Sequence, residues 1–268
     1  GPNAVIAALG PSEAGDTRTL QIRSLSGTTR EVTLTKRNFT MEPLSPDYGS
    51  RVIDFGGRQV GYINLRTFIV NSAKNDLANA MAEFKDQGID ELVIDLRYNG
   101  GGLIDIAETF GDLLLAGNVG EVFSYTTLRS SKSAQNQTRN VAANSSAIAA
   151  AKVAFIGTGS SASASELLMN ALPPYLAGNV ALIGTNTYGK PVGQFGFDDS
   201  NGCDDRLRVV TFKTENADRE GEYYTGLAGT MPVKTGKGIT NTAVLLTADG
   251  REIRQDKLCL TPFEQSPD

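Results

Sequence analysis

The sequence predicts an α/β domain in which buried strands alternate with helices, preceded by a small α+β segment. Three observations carry that reading. Apolar runs without polar alternation, such as Leu92-Val93-Ile94 and Val153-Ala154-Phe155-Ile156, are what strands covered on both faces require. Between such runs, residues 72–87 set Ala73, Leu77, Met81 and Phe84 on one helical face, with Gly88 as a stop. Glycine-rich or serine-rich loops then link strand ends to helix starts, where α/β folds place their ligand sites.

Taken in order, residues 4–9 read as the end of a short apolar helix that Gly10-Pro11 closes. Residues 17–25 and 29–37 alternate apolar and polar side chains around Ser26-Gly27-Thr28, which predicts a hairpin. A helix plus two strands in about 40 residues cannot bury a core alone. Their order resembles the second half of a PDZ domain, whose groove accepts peptide C-termini by strand addition. The expected organisation is therefore 1–40 as the C-terminal half of a PDZ-like domain, 41–50 as a linker carrying Pro43 and Pro46, and 51–268 as the main domain.

Within the main domain, strands are expected at residues 61–65, 91–96, near Val122, at 153–157 and at 180–184. Helices should run over 72–87, from the glycine loop to about Leu115, and over 167–172 up to Pro173-Pro174. Residues 130–151, rich in Ser, Asn, Gln and Ala, read as a mobile lid or a poorly ordered helix.

Composition narrows the chemistry. A 40% hydrophobic content excludes a disordered chain, and no apolar run approaches the roughly 18 residues of a membrane-spanning helix. The net charge of −5, with no basic block, argues against nucleic acid and anionic lipid as partners. Cys203 and Cys259 lack a CxxC partner, so a metal or redox site is not expected; one disulfide and two free thiols both stay open. The Gly1-Pro2 start, without methionine or leader, is expected of a trimmed chain. The chain contains no histidine, which removes both the usual base of serine and cysteine hydrolases and the commonest zinc ligand. Acid–base work must fall to Lys, Asp, Glu or Tyr.

Three segments can bear chemistry. The run from Gly159 to Glu166 follows a buried strand and precedes a helix, a turn that raises a serine hydroxyl and aims helix amides at its target. Ser163-x-x-Glu166 is equally a capping box, so that serine also reads as a plain N-cap. Lys190 stands among Gly189, Pro191, Val192 and Gly193, where poor solvation would favour the neutral amine a base needs; the alternative is a snorkelling surface lysine. Gly100-Gly101-Gly102 follows Ile94-Asp95-Leu96-Arg97-Tyr98-Asn99 and offers backbone amides to an anion, or simply makes a tight turn. The P-loop ending and the Gly-x-Gly-x-x-Gly spacing are both missing, so phosphate is the weaker candidate.

Together, Asp-Leu-Arg-x-Asn-x-Gly-Gly at 95–102, Ser-Ala-Ser-Ala-Ser-Glu at 161–166 and Tyr-Gly-Lys-Pro-Val-Gly-Gln at 188–194 resemble the signature blocks of the tail-specific (C-terminal processing) serine peptidases. The Phe-Lys-Thr-Glu-Asn-Ala segment at 212–217 is similar to their bacterial lipoprotein-type branch. The resemblance implies a ClpP/crotonase-like fold, protein or peptide substrates cleaved near their C-termini, no cofactor, and a periplasmic or cell-envelope location with a lipid anchor before trimming. It also implies Ser163 as nucleophile, Lys190 as base, Gln194 as the residue orienting that lysine, and the amides of Gly101 and Ala164 as oxyanion donors. Pro191 replaces the family's glycine, and the stretch from Ser163 to Lys190 is slightly longer than usual, which leaves Ser165 as a fallback nucleophile. A non-catalytic module binding hydrophobic ligands or peptides on the same fold is the alternative, and a crotonase-like acyl-CoA enzyme is a third reading.

Overall fold

The computed structural model describes residues 2–198 and 205–229, with two further short strands at 245–246 and 252–253. Cys203 and Cys259 lie outside the described residues. The chain divides into two compact units at Met41 and Glu42.

The first unit holds helix α1 (Pro2–Leu9) and the antiparallel strands β1 (Thr17–Arg23) and β2 (Thr29–Thr35), paired from Thr17 opposite Thr35 to Arg23 opposite Thr29. This is the partial PDZ-like α+β segment, and the Ser24 amide closes its turn on the Thr28 carbonyl at 2.8 Å.

The second unit is built on a five-stranded sheet. Strand β3 (Ser50–Phe55) pairs antiparallel with β4 (Arg58–Asn64), after which helix α2 (Ala73–Asp86) leads to β5 (Glu91–Asp95). Helix α3 (Ile104–Leu114) follows the glycine loop. Next come β6 (Val122–Leu128), β7 (Gln137–Asn140), β8 (Lys152–Gly157), α4 (Ala164–Ala171), the single turn α5 (Pro173–Leu176) and β9 (Val180–Gly184). The sheet order is β3-β4-β5-β8-β9, with β4, β5, β8 and β9 parallel. The alternating α/β core expected from the apolar runs is present, with β5 and β9 within a residue of the expected bounds.

One continuous apolar core explains why these segments adopt these forms. Leu77, Met81 and Phe84 of α2, Ile94 of β5, Phe110 and Leu113 of α3, Phe155 of β8 and Leu168 of α4 are all buried in it. Replacing a buried phenylalanine such as Phe84 by alanine would cost about 3–5 kcal/mol through lost transfer energy and the cavity left behind.

Two features depart from the expectation. Residues 130–151 form neither a lid nor a disordered helix: a 3-10 turn (Ser130–Gln135) leads into β7, which pairs with β6, and Val141, Ile148 and Ala150 are buried in the core. Scattered apolar residues in a polar stretch carry no periodicity, yet each fills a place beside α3. The strand near Val122 also belongs to a second, antiparallel sheet rather than to the parallel one. Its order is β10-β11-β6-β7, with β10 (Val192–Asp198) and β11 (Arg206–Glu215). Prolines 173 and 174 end α4 and also start α5, since a proline at a first helical position loses no intrahelical bond. Among the described residues no helix is long and apolar enough to cross a membrane.

Candidate active site

Strand order brings the three candidate segments together. β5, β8 and β9 are consecutive and parallel, and their carboxyl ends open respectively into the glycine loop, the serine turn and the lysine loop. Segments far apart in sequence thus become neighbours at one end of one sheet, the place where open α/β sheets bind ligands.

The glycine loop starts from a buried brace. Asp95 has no solvent exposure; it accepts the Tyr62 hydroxyl at 2.8 Å and pairs with the Arg97 guanidinium at 2.6 Å. Burial, followed by the Asp95 charge, pushes the Tyr62 phenol well above its ordinary range, so it stays a donor. The fully buried Asn99 then ties the loop to its surroundings. Its side chain donates to the Leu65 carbonyl at 2.8 Å and accepts the Gly101 amide at 3.0 Å, while its carbonyl accepts the Ala162 amide at 3.1 Å.

Ser163 caps α4 with φ 58° and ψ −115°. A left-handed serine costs about 1–3 kcal/mol and persists only where the surroundings impose it. The turn sits against Gly101, whose own φ is 93°. A Cβ built on it would lie 2.6 Å from the Ala162 carbonyl oxygen and 2.8 Å from both the Ala164 nitrogen and the Ser163 Cβ. The loop therefore seats directly beneath the serine turn, and the candidate oxyanion residues Gly101 and Ala164 are in contact. In the structure, however, the Gly101 N–H points to Asn99 Oδ1.

The neighbouring serines have other partners. Ser161 and Ser165 are fully buried; the first donates to the Leu96 carbonyl at 2.6 Å and the second to the Asn99 carbonyl at 2.8 Å. Ser163 alone of the three is half-buried.

The lysine loop is held from two sides. Toward the serine turn, the Tyr188 amide donates to the Ser161 carbonyl at 3.0 Å. Away from it, Gly189 packs so closely on residues 224–226 that a Cβ would sit 2.4 Å from the Tyr224 carbonyl oxygen. The Leu227 amide also donates to the Thr187 hydroxyl at 2.7 Å. Lys190 is half-buried, and Gln194 lies exposed on β10 just past a bulge between Gly193 and Gln194.

Glu166 reads in the sequence only as half of a capping box. Its carboxylate, with no solvent exposure, accepts the Ser163 amide at 2.9 Å, as half of the capping box. It also accepts the Lys190 amide at 2.8 Å, the Gly189 amide at 2.7 Å and the Thr187 hydroxyl at 2.6 Å. The capping-box spacing was visible in the sequence, whereas nothing there indicated that the same carboxylate reaches the lysine loop. Among the described residues no group of three or more acidic or cysteine side chains is placed to hold a metal ion.

The site thus holds a strained serine at a strand-to-helix turn, a glycine loop beneath it and a lysine loop beside it. Residues 59–231 match the model of peptidase family S41, and the chain belongs to that family. It is 29% identical over 185 residues to the carboxyl-terminal-processing protease of Synechocystis sp., a match covering 69% of this chain and 40% of that protein. It is 31% identical over 206 residues to the chloroplastic C-terminal processing peptidase of Tetradesmus obliquus, covering 76% of this chain and 40% of that one. Among solved structures, a putative S41 protease from Bacteroides fragilis superposes with a TM-score of 0.64 at 25% identity, over 80% of this chain and 59% of that chain. The photosystem II D1 C-terminal processing protease shares the fold, with a TM-score of 0.58 at 22% identity. The chain thus spans less than half the length of the curated relatives it matches.

Proposed function

We propose that this chain carries the catalytic centre of a serine endopeptidase that cleaves protein substrates near their C-termini. Ser163 is the nucleophile and Lys190 the general base. The observation that carries the reading is the strained, half-buried Ser163, set over Gly101 and joined through one carboxylate to the backbone of Lys190.

The neutral Lys190 amine takes the hydroxyl proton as Ser163 Oγ attacks the substrate carbonyl carbon. The C–O bond forms while the carbonyl π pair moves to oxygen. The resulting ammonium returns its proton to the leaving amine as the C–N bond breaks, leaving an acyl-serine that water hydrolyses with the same lysine as base. Gln194 steers the lysine side chain. The amides of Ala164, at the positive end of α4, and Gly101 receive the oxyanion, each worth roughly 3–4 kcal/mol in comparable sites. To serve there, the Gly101 N–H must share or exchange its present acceptor, Asn99 Oδ1. The burial of Ser165 and the engagement of its hydroxyl support Ser163 over that neighbour. The cell envelope as location and the lipoprotein-type branch rest on the resemblance of residues 212–217 and belong to the same proposal.

A fluorophosphonate probe read by intact mass tests it. One adduct is expected on the parent chain and none on Ser163→Ala, with hydrolysis of an unfolded protein lost in Ser163→Ala and Lys190→Ala. Retained hydrolysis by folded Ser163→Ala would overturn the assignment.

A further inference from the structure

Among the described residues, the buried Glu166 carboxylate has four hydrogen-bond partners, three backbone amides and one hydroxyl, and no cation. Removing a carboxylate from water costs several kcal/mol, which its hydrogen bonds must offset, and an apolar residue in its place would leave those donors without an acceptor. The placement of the partners shows what the carboxylate accomplishes. One belongs to the serine turn and three to the lysine loop, and the two oxygens divide the work. Oε2 receives the amides of Ser163 and Lys190, so those two nitrogens are held within two hydrogen-bond lengths of each other. Oε1 receives Gly189 and Thr187, fixing the direction from which the loop arrives. Thr187 in turn accepts the Leu227 amide at 2.7 Å, which anchors the loop on its far side.

We infer that Glu166 is a positioning residue for the reaction: its carboxylate sets the distance between the nucleophile's turn and the base's loop. This rests on the reading of Ser163 and Lys190 as nucleophile and base. A glutamine in its place keeps the size but offers one acceptor oxygen, and its NH2 group would face amide donors that need an acceptor. The two loops would then part, and a misplacement of about 1 Å is enough to slow a proton transfer between side chains about a hundredfold without altering the substrate's binding surface.

The test compares the parent chain with Glu166→Gln, Glu166→Asp and Thr187→Val. Three quantities are read: kcat and KM on an unfolded protein or peptide substrate, the rate of Ser163 labelling by a small fluorophosphonate, and folding by circular dichroism. For Glu166→Gln the expectation is a loss in kcat of about a hundredfold or more, with KM within about threefold and labelling slowed in parallel. Glu166→Asp, which keeps the carboxylate but shortens the reach, should recover part of the kcat. Thr187→Val, which removes the bond to Oε1 and also the acceptor of the Leu227 amide, should lower kcat by about fivefold to tenfold with KM unchanged, and it decides the matter if Glu166→Gln does not fold. A folded Glu166→Gln or Thr187→Val with parental kcat and labelling rate overturns the positioning role alone. A parent chain that neither labels at Ser163 nor hydrolyses substrate overturns the peptidase reading and this inference with it.

Discussion

Gly101 and Ser163 leave no room between them: a Cβ on the glycine would lie 2.8 Å from that of the serine. Gly101→Ala must therefore displace the serine turn and also hold an alanine at φ 93°. We expect a loss of about 1–3 kcal/mol in stability and of most hydrolytic activity. Urea unfolding and the fluorophosphonate labelling rate measure the two effects, and a variant with parental labelling would show that the contact does not shape the site.

Ser165→Ala separates a structural serine from a reactive one. Its buried hydroxyl donates to the Asn99 carbonyl, so its removal should cost about 1–2 kcal/mol while Ser163 still labels. Loss of labelling in a folded Ser165→Ala protein, with labelling retained in Ser163→Ala, would reverse the two roles.

Stability should carry a pH signature. Glu108 and Asp112 of α3 share the Arg139 guanidinium, at 3.5 and 2.5 Å, and burial pushes both carboxyls above their ordinary range despite that partner. A carboxyl raised in the folded state binds more protons there than in the unfolded chain. Its contribution is therefore fully present below the unfolded value and is lost as pH rises through the folded one. Glu108→Gln removes one such titration. Its stability relative to the parent should increase from about pH 4 to pH 7.5 in urea midpoints; a pH-independent difference would contradict the argument.

Breaking the brace under the glycine loop should also destabilise the fold. Asp95→Ala removes the buried carboxylate that pairs with the Arg97 guanidinium and accepts the Tyr62 hydroxyl. We expect a loss of about 3–5 kcal/mol by urea unfolding, whereas Tyr62→Phe, which removes only the neutral donor, should cost about 1–2 kcal/mol.

The strands and helices of the parallel core were legible because burial on both faces and helical periodicity leave direct marks: Leu92-Val93-Ile94, and Leu77, Met81 and Phe84 one turn apart. Ser163, Lys190 and Gly101 stood out through local context, each at a loop following a buried strand. The second sheet was not legible. Phe195, Phe197, Leu207 and Val209 of β10 and β11 are largely exposed, so those strands show no simple inward-facing alternation. Residues 130–151 were misread for a related reason, since their buried members are held by contacts with α3 rather than by a pattern of their own.

What the sequence determined by itself is the set of reactive residue types: a chain without histidine, a serine at a strand-to-helix turn, a lysine among glycine and proline, and glycines that permit close approach. What only the tertiary structure decided is which of them meet. The order β5-β8-β9 brings three distant loops to one edge, and the Glu166 carboxylate, buried by α4's packing, finds its second and third amides on a loop that local spacing never indicates. A hydrogen-bond acceptor satisfies whatever donors the fold delivers to it, and that delivery is a property of strand order rather than of neighbouring sequence.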